Sequence, residues 1–198
     1  SVAENIICNW RDGSRSRELA EWCVQMGSDE GVSSQASPES VEVEGGGLSE
    51  NVYFIMVGDG AQFEKAKTIV DNSELLSDRV HLVGYSDEVR SYLDIFDCFV
   101  LTSMVEGLPN VIIEAQLCGV PVLSTDAGGA KECFIQGETG IVSQFNSGVG
   151  MSRELLGMVS DGVFMGKASR LSKKFAKDKF GERTWARNMN KLYSGVGK

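Results

Sequence analysis

Apolar and polar residues come in short blocks along this chain, and from about residue 52 the period of the blocks switches repeatedly between that of a strand and that of a helix. Residues 52–57 (V-Y-F-I-M-V) form an apolar run closed by Gly58, Asp59 and Gly60, residues 63–70 have helical spacing, residues 80–83 predict a strand and residues 87–96 a helix. A short buried strand over 98–102 (C-F-V-L-T) leads to a helix over 111–118, where Ile113 and Leu117 stand four apart. A strand over 120–124, a short helix over 129–134 and a strand over 140–142 follow. Three helices are expected after Met151, the last over 181–193. Strands alternating with helices at this spacing predict an α/β fold, a Rossmann-like parallel sheet with helices on both faces.

The first fifty residues pattern differently. Leu19, Trp22, Cys23 and Met26 fall at i, i+3, i+4 and i+7, so residues 1–26 are assigned helical character, with Gly27 as the stop. Residues 27–50 are rich in Gly and Ser and hold six acids and no Lys or Arg. Such a composition predicts an acidic linker, and the alternation over 41–44 is too short to argue strongly for a strand. Regular order is therefore expected from near Val52, which makes 51–198 the folded domain with its C-terminal helices.

Candidate chemistry concentrates where the 98–102 strand ends. The stretch S-M-V-E-G-L-P-N-V-I-I-E, residues 103–114, sets Glu106 and Glu114 on either side of a Gly-Leu-Pro-Asn turn. Asn110 is expected as the N-cap of the following helix, whose free N–H groups then point back toward Gly107 and attract phosphate. In open α/β sheets the carboxyl ends of the strands form the ligand crevice. Two acids there can accept hydrogen bonds from vicinal hydroxyls while backbone N–H groups hold a phosphate, and sugar plus phosphate describes a nucleotide sugar. The plain alternative is that Glu106 is a solvated loop acid and Glu114 a first-turn acid that only favours the helix dipole.

Composition narrows the classes. A chain of 198 residues, 42% hydrophobic and 24% charged, can bury one sizeable core but hardly two full Rossmann domains. No run approaches a membrane span and the first residues lack signal-peptide character, so a cytoplasmic chain is expected. The five cysteines, Cys8, Cys23, Cys98, Cys118 and Cys133, include no C-x-x-C pair, which indicates neither a zinc site nor a disulfide framework. His81 is the only histidine and lies in a predicted strand, so a multi-histidine metal site is excluded and a structural role is the simpler reading. The net charge of −9 divides unevenly: residues 1–150 hold 8 Lys and Arg against 24 Asp and Glu, while residues 151–198 hold 11 against 4. Overall acidity argues against nucleic-acid binding. The basic stretch 166–180, with Leu171 and Phe175 four apart, fits either a peripheral contact with an anionic membrane or a helix packed by its apolar side with a solvated basic face.

Five blocks carry a resemblance. V-Y-F-I-M-V-G-D-G (52–60), R-V-H-L-V-G-Y (79–85), E-G-L-P-N-V-I-I-E-A (106–115), G-V-P-V-L-S-T-D-A-G-G-A-K-E (119–132) and G-E-T-G-I-V (137–142) resemble, in order, the donor domain of retaining nucleotide-sugar glycosyltransferases of the GT-B architecture. In that family the paired glutamates bracket seven residues, as Glu106 and Glu114 do. The resemblance implies the C-terminal half of such an enzyme, with Glu106 on hydroxyls of the transferred sugar and Glu114 on the ribose. It implies donor contacts at Gly58, Gly84, Gly107, Leu108, Pro109 and Asn110, with the Gly107 and Leu108 amides on phosphate or hexose. Gly128, Gly129 and Glu132 would shape the neighbouring wall. It further implies a UDP-linked donor, a glycan or lipid-linked acceptor, retention assisted by the donor phosphate, and neither metal nor cofactor.

The pattern also departs from the family. Family donor domains open with a strand, an Arg-bearing turn and a Lys, whereas here no Lys or Arg lies between Arg17 and Lys65. The opening strand and helix are expected to be missing or replaced by the acidic linker, and residues 1–26 loosely resemble the end of the family's first domain. An acceptor half is not expected within this length. The isolated chain is therefore expected to have low or no activity, and the alternative function is a binding module or split subunit that needs a separate acceptor domain. A nucleotide-sugar epimerase is a weaker option, since only His81 could supply its histidine.

Overall fold

The structure is a computed structural model that describes residues 5–13, 50–103, 105–143 and 148–195. In chain order the elements are β1 (Asn5–Gly13), β2 (Glu50–Val57), α1 (Phe63–Asp71), α2 (Glu74–Ser77), β3 (Val80–Gly84), α3 (Val89–Leu93), β4 (Cys98–Leu101), α4 (Asn110–Cys118) and β5 (Val122–Ser124). A 3-10 turn (Gly128–Glu132), β6 (Gly140–Val142), α5 (Gly148–Ser160), α6 (Gly162–Phe180) and α7 (Glu182–Gly195) follow.

The six strands form one sheet in the order β3-β2-β1-β4-β5-β6. That is the order of the doubly wound nucleotide-binding sheet, with its topological switch point beside β1 and β4. The pairs β2–β3, β4–β5 and β5–β6 are parallel. β1 runs antiparallel to both β2 and β4, so five strands point one way and the central one opposes them.

Strand alternation divides the core between the two faces. On β4 every residue is fully buried. Cys98 and Val100 join Phe54 and Met56 of β2 and Leu123 of β5 beneath Ala66 and Val70 of α1 and Met151, Leu155 and Met158 of α5. Phe99 and Leu101 join Val122 beneath Leu93 of α3 and Ile112 and Ala115 of α4. Each large apolar side chain so buried contributes roughly 1.5–3 kcal/mol, and β4 is clamped from both sides. The strand carrying the candidate site is thus packed on both faces.

The Rossmann-like α/β expectation holds, and most elements from residue 50 onward lie within a few residues of their predicted bounds. The short helix α2 is an element the periodicity did not reveal; Ser73 caps it, accepting from the Leu76 N–H. The clear correction is at the start. Asn5–Gly13 is a strand, not part of a helix, and it occupies the central position that was expected to be missing. β2 and β4 both point the same way and leave a one-strand gap, so their facing backbone groups need a partner. Leu19, Trp22, Cys23, Met26 and the proposed linker up to Ser49 lie outside the described residues.

The basic stretch lies on α6, which packs on α4. Ala168, Ser172 and Ala176, four apart, are fully buried, while Leu171 and Phe175 are half-buried. Contact with the end of α4 is close: a Cβ on Gly119 would lie 3.1 Å from the Ser169 carbonyl oxygen. Lys167, Arg170, Lys173, Lys174, Lys177 and Lys179 remain exposed. Among the described residues no helix is long and apolar enough to cross a membrane.

Candidate functional site

The carboxyl ends of β2, β3, β4 and β5 share one edge of the sheet, because these four strands point the same way. Gly58 and Gly84 meet there. The Gly58 N–H donates to the Gly84 carbonyl at 2.8 Å, bridging the ends of β2 and β3. Just beyond, the exposed Tyr85 hydroxyl donates to the Asp87 carboxylate. That bond, some burial and the charge of Asp59 hold the Tyr85 phenol above its ordinary ionisation range. The loop after β2 and the turn after β3 therefore feel one another across this edge.

β4 delivers the loop that holds Glu106. Its exit is fixed from β5: the Thr125 N–H donates to the Leu101 carbonyl at 3.0 Å, and the Thr125 hydroxyl donates to the Ser103 carbonyl. Glu106 is half-buried, Gly107 and Leu108 are exposed, and Pro109 is buried. α4 then starts at Asn110 with Pro109 in the cap position, at φ −71° and ψ 101°. Asn110 is thus the first helical residue instead of the expected cap, and the cap residue, Pro109, makes no side-chain hydrogen bond to the helix. A proline there is already set at a suitable φ and has no N–H to leave unpaired. With a nine-residue helix beginning at Asn110, the first-turn N–H groups lie next to the Gly107-Leu108 turn.

The same start removes one plain reading. Glu114 is the fifth residue of α4 and α4 has no acid in its first turn. The helix dipole acts mainly within the first turn, so Glu114 is not explained as a dipole partner. Its side chain is exposed.

The second glycine block closes the wall. A Cβ on Gly128 would lie 2.3 Å from the Glu106 carbonyl oxygen, and one on Gly129 would lie 1.9 Å from the Gly107 carbonyl oxygen. Gly128 also has φ +57°. Backbone therefore rests directly on backbone, and the 3-10 turn sets the height of the Glu106-Gly107 turn. Glu132 stands at the far end of that 3-10 turn and is exposed, one turn from the contact. Lys131 is paired with Asp126 at 3.2 Å, both exposed.

Thus two groups of predicted residues come together: Gly58 with Gly84, and Glu106 with Gly107, Gly128 and Gly129. Thr125 was not among the predicted site residues, although it sits within the T-D-A-G-G block. Gln116 was also missed. It is fully buried and its amide donates to the Val120 and Thr139 carbonyls at 3.1 Å each, tying α4 to the approach to β6. His81 lies on β3, exposed, with its ring stacked on Tyr53 at 6.0 Å.

Comparison with known proteins gives a consistent picture. A family model described as "Glycosyl transferases group 1" matches residues 40–178. The Vi polysaccharide biosynthesis protein VipC/TviE of Salmonella typhi is 46% identical over 89 residues, 45% of this chain and 15% of that protein. The N-acetyl-alpha-D-glucosaminyl L-malate synthase of Bacillus anthracis is 32% identical over 107 residues, 54% of this chain and 28% of that protein. Among solved structures, the Anabaena protein HepE in complex with UDP matches with a TM-score of 0.64 at 19% identity, covering 94% of this chain and 47% of that one. The same protein with UDP and glucose matches at a TM-score of 0.63 and 22% identity, covering 71% and 40%. The chain thus spans less than half the length of each of these proteins.

Proposed function

The chain belongs to the group 1 glycosyl transferases, and from that premise we propose that it is the donor-binding part of a retaining enzyme that moves a hexose from a nucleotide diphosphate sugar, UDP-linked, to a glycan or lipid-linked acceptor. One observation carries the reading: the seating of Gly128 and Gly129 on the carbonyls of Glu106 and Gly107. It seats the Glu106-Gly107 backbone, which leads into the start of α4, at the carboxyl edge of a doubly wound sheet, the ordinary place for a nucleotide ligand.

In this proposal the free N–H groups at the start of α4 and the Gly107-Leu108 amides bind the diphosphate, with the helix dipole favouring its charge. Glu114 accepts the ribose hydroxyls and Glu106 the hydroxyls of the sugar. Both carboxylates position the donor, and departure of the nucleotide is assisted on the face held by phosphate. Gly58 and Gly84 leave room for the donor beside Tyr85. The acceptor is presented from outside the described sheet, and the exposed lysines of α6 favour an anionic membrane surface nearby.

A second reading, a binding module or split subunit, is favoured by one feature: between Arg17 and Lys65 the sequence holds no cation to offset a diphosphate. Hydrogen bonds to charged groups contribute about 1.5–3 kcal/mol each, so the chain alone is expected to bind donors weakly and to transfer nothing measurable. Calorimetric titration with UDP, GDP and ADP sugars separates nucleotides. With UDP alone, Glu114→Gln is expected to weaken binding more than Glu106→Gln, since UDP has a ribose and no sugar to reach Glu106. Equal losses would overturn the assigned roles, and no response to millimolar UDP would remove the donor reading.

A further inference from the structure

Lys179 is on α6, 47 residues beyond the second glycine block, yet its Nζ donates to the Glu132 carbonyl at 2.6 Å. The ammonium is held in place by two rings, with the Phe175 and Phe180 centroids at 5.5 and 5.3 Å. Those rings themselves meet edge to face at 6.1 Å. Glu132 ends the 3-10 turn whose other end, Gly128-Gly129, bears on the carbonyls of Glu106 and Gly107. A path of direct contacts thus runs from an exposed lysine on the outer helix to the ligand turn.

Such a tether adds a restraint to a short turn. A five-residue 3-10 helix is short and its hydrogen-bond geometry is poorer than that of an α-helix. The carbonyls at its end need donors. Inside the turn the Ala130 and Cys133 N–H groups donate to Ala127 and Ala130, and the Cys133 thiol donates to the Gly129 carbonyl at 3.7 Å. At Glu132 the donor comes from outside the turn, and it carries a full charge.

We propose that Lys179 is a positioning residue for the donor site, setting the height of the Glu106-Gly107 turn through the 3-10 helix without touching the donor. The inference rests on the donor reading given above. A lysine–carbonyl bond open to solvent is a modest restraint, so its loss shifts the turn and leaves the fold intact.

The test uses the whole 198-residue chain in three forms: wild type, Lys179→Met and Lys179→Arg. Methionine keeps the stem between the two rings and removes the donor; arginine restores a charged donor. In Lys179→Met the amide signals of Glu132, Gly129 and Gly107 are expected to move together, the dissociation constant for UDP to rise about threefold, and the melting temperature to stay constant. Lys179→Arg should return both signals and affinity toward wild type. Movement at Glu132 with none at Gly107 would overturn the inference, as would unchanged UDP affinity in a wild type that binds. Shifts spread over the sheet with a lowered melting temperature and no rescue by arginine would show a merely structural lysine. If wild type binds no UDP, the donor reading fails by itself, and the joint movement of Glu132 and Gly107 still decides the role of Lys179.

Discussion

Replacing Gly129 with alanine probes the contact on which the functional reading depends. The added Cβ would lie 1.9 Å from the Gly107 carbonyl oxygen, 3.1 Å from its carbon and 3.6 Å from the Leu108 Cα. Every one of these atoms is backbone, so no side chain can swing aside. A carbon–oxygen contact is comfortable at about 3.3 Å or more, and the two segments must therefore separate by roughly 1.4 Å. Overpacking of this kind costs about 1–3 kcal/mol. For a chain of this length that is a fall in melting temperature of about 2–4 °C per kcal/mol. The Glu106-Gly107 turn is the exposed partner and moves more readily than the 3-10 turn, whose Ala130 and Cys133 are fully buried. A displacement near 1 Å is enough to lose hydrogen bonds to a phosphate, and UDP affinity is expected to drop at least about tenfold. Calorimetry of UDP binding together with scanning calorimetry reads both effects. If Gly129→Ala binds UDP within a factor of two of wild type and melts at the same temperature, the two turns do not rest on each other and the site is wrongly built.

Gly157 makes the matched control: it lies mid-helix in α5 and a Cβ there meets nothing within 4 Å, so Gly157→Ala should raise stability by about 0.5–1 kcal/mol in denaturant unfolding. Gln116→Leu removes two buried donors at similar volume and should cost about 1–3 kcal/mol, read as a lower urea midpoint; an unchanged midpoint would show that the two amide bonds add nothing. Burial pushes the Cys98 thiol from 9.0 up to about 12, and burial, against the opposing charge of Lys179, pushes the Cys133 thiol up to about 11. These thiols ionise earlier in the unfolded chain than in the folded one. The stability they confer is whole below pH 9 and is lost as pH rises through 11 to 12, so Cys98→Ala and Cys133→Ala should flatten the alkaline limb of a pH–stability curve.

The site was legible where chemistry is local and obscure where it is carried across the chain. Glu106, Gly107 and the start of α4 stand next to one another in sequence, so spacing alone placed them at a helix start after a buried strand. The identity of the cap was lost because Asn and Pro both favour that boundary; the fixed φ of Pro109 decided it. Gly128 and Gly129 were recognisable as a block, yet their function as a backbone seat needs the distance to Glu106 and Gly107. Lys179 gave no local signal at all. It sits in a basic run whose charge suggested a surface, and one of those charges is committed to a carbonyl 47 residues upstream.

The first strand was misread for a related reason, and its direction bears on the chemistry. The helical spacing around Leu19 to Met26 dominated the opening segment, while the two isoleucines that prefer a strand were too few to outweigh it. What settles Asn5–Gly13 is a tertiary demand, the gap between β2 and β4. Because β1 is antiparallel, Asn5 pairs with Val57 and Ile6 with Val100, so the strand's start, not its end, lies at the edge with Gly58 and Glu106. β2, β3, β4 and β5 each contribute to that edge the segment that follows them. β1 cannot, since its exit at Gly13 pairs with Glu50 at the opposite edge. At the central position the chain therefore leaves its strand at the edge away from Gly58 and Glu106. On the proposed donor reading the anion is expected on the N–H groups of α4 and the Gly107 turn, so displacing that turn by about an ångström should weaken nucleotide binding more than the loss of any single charge.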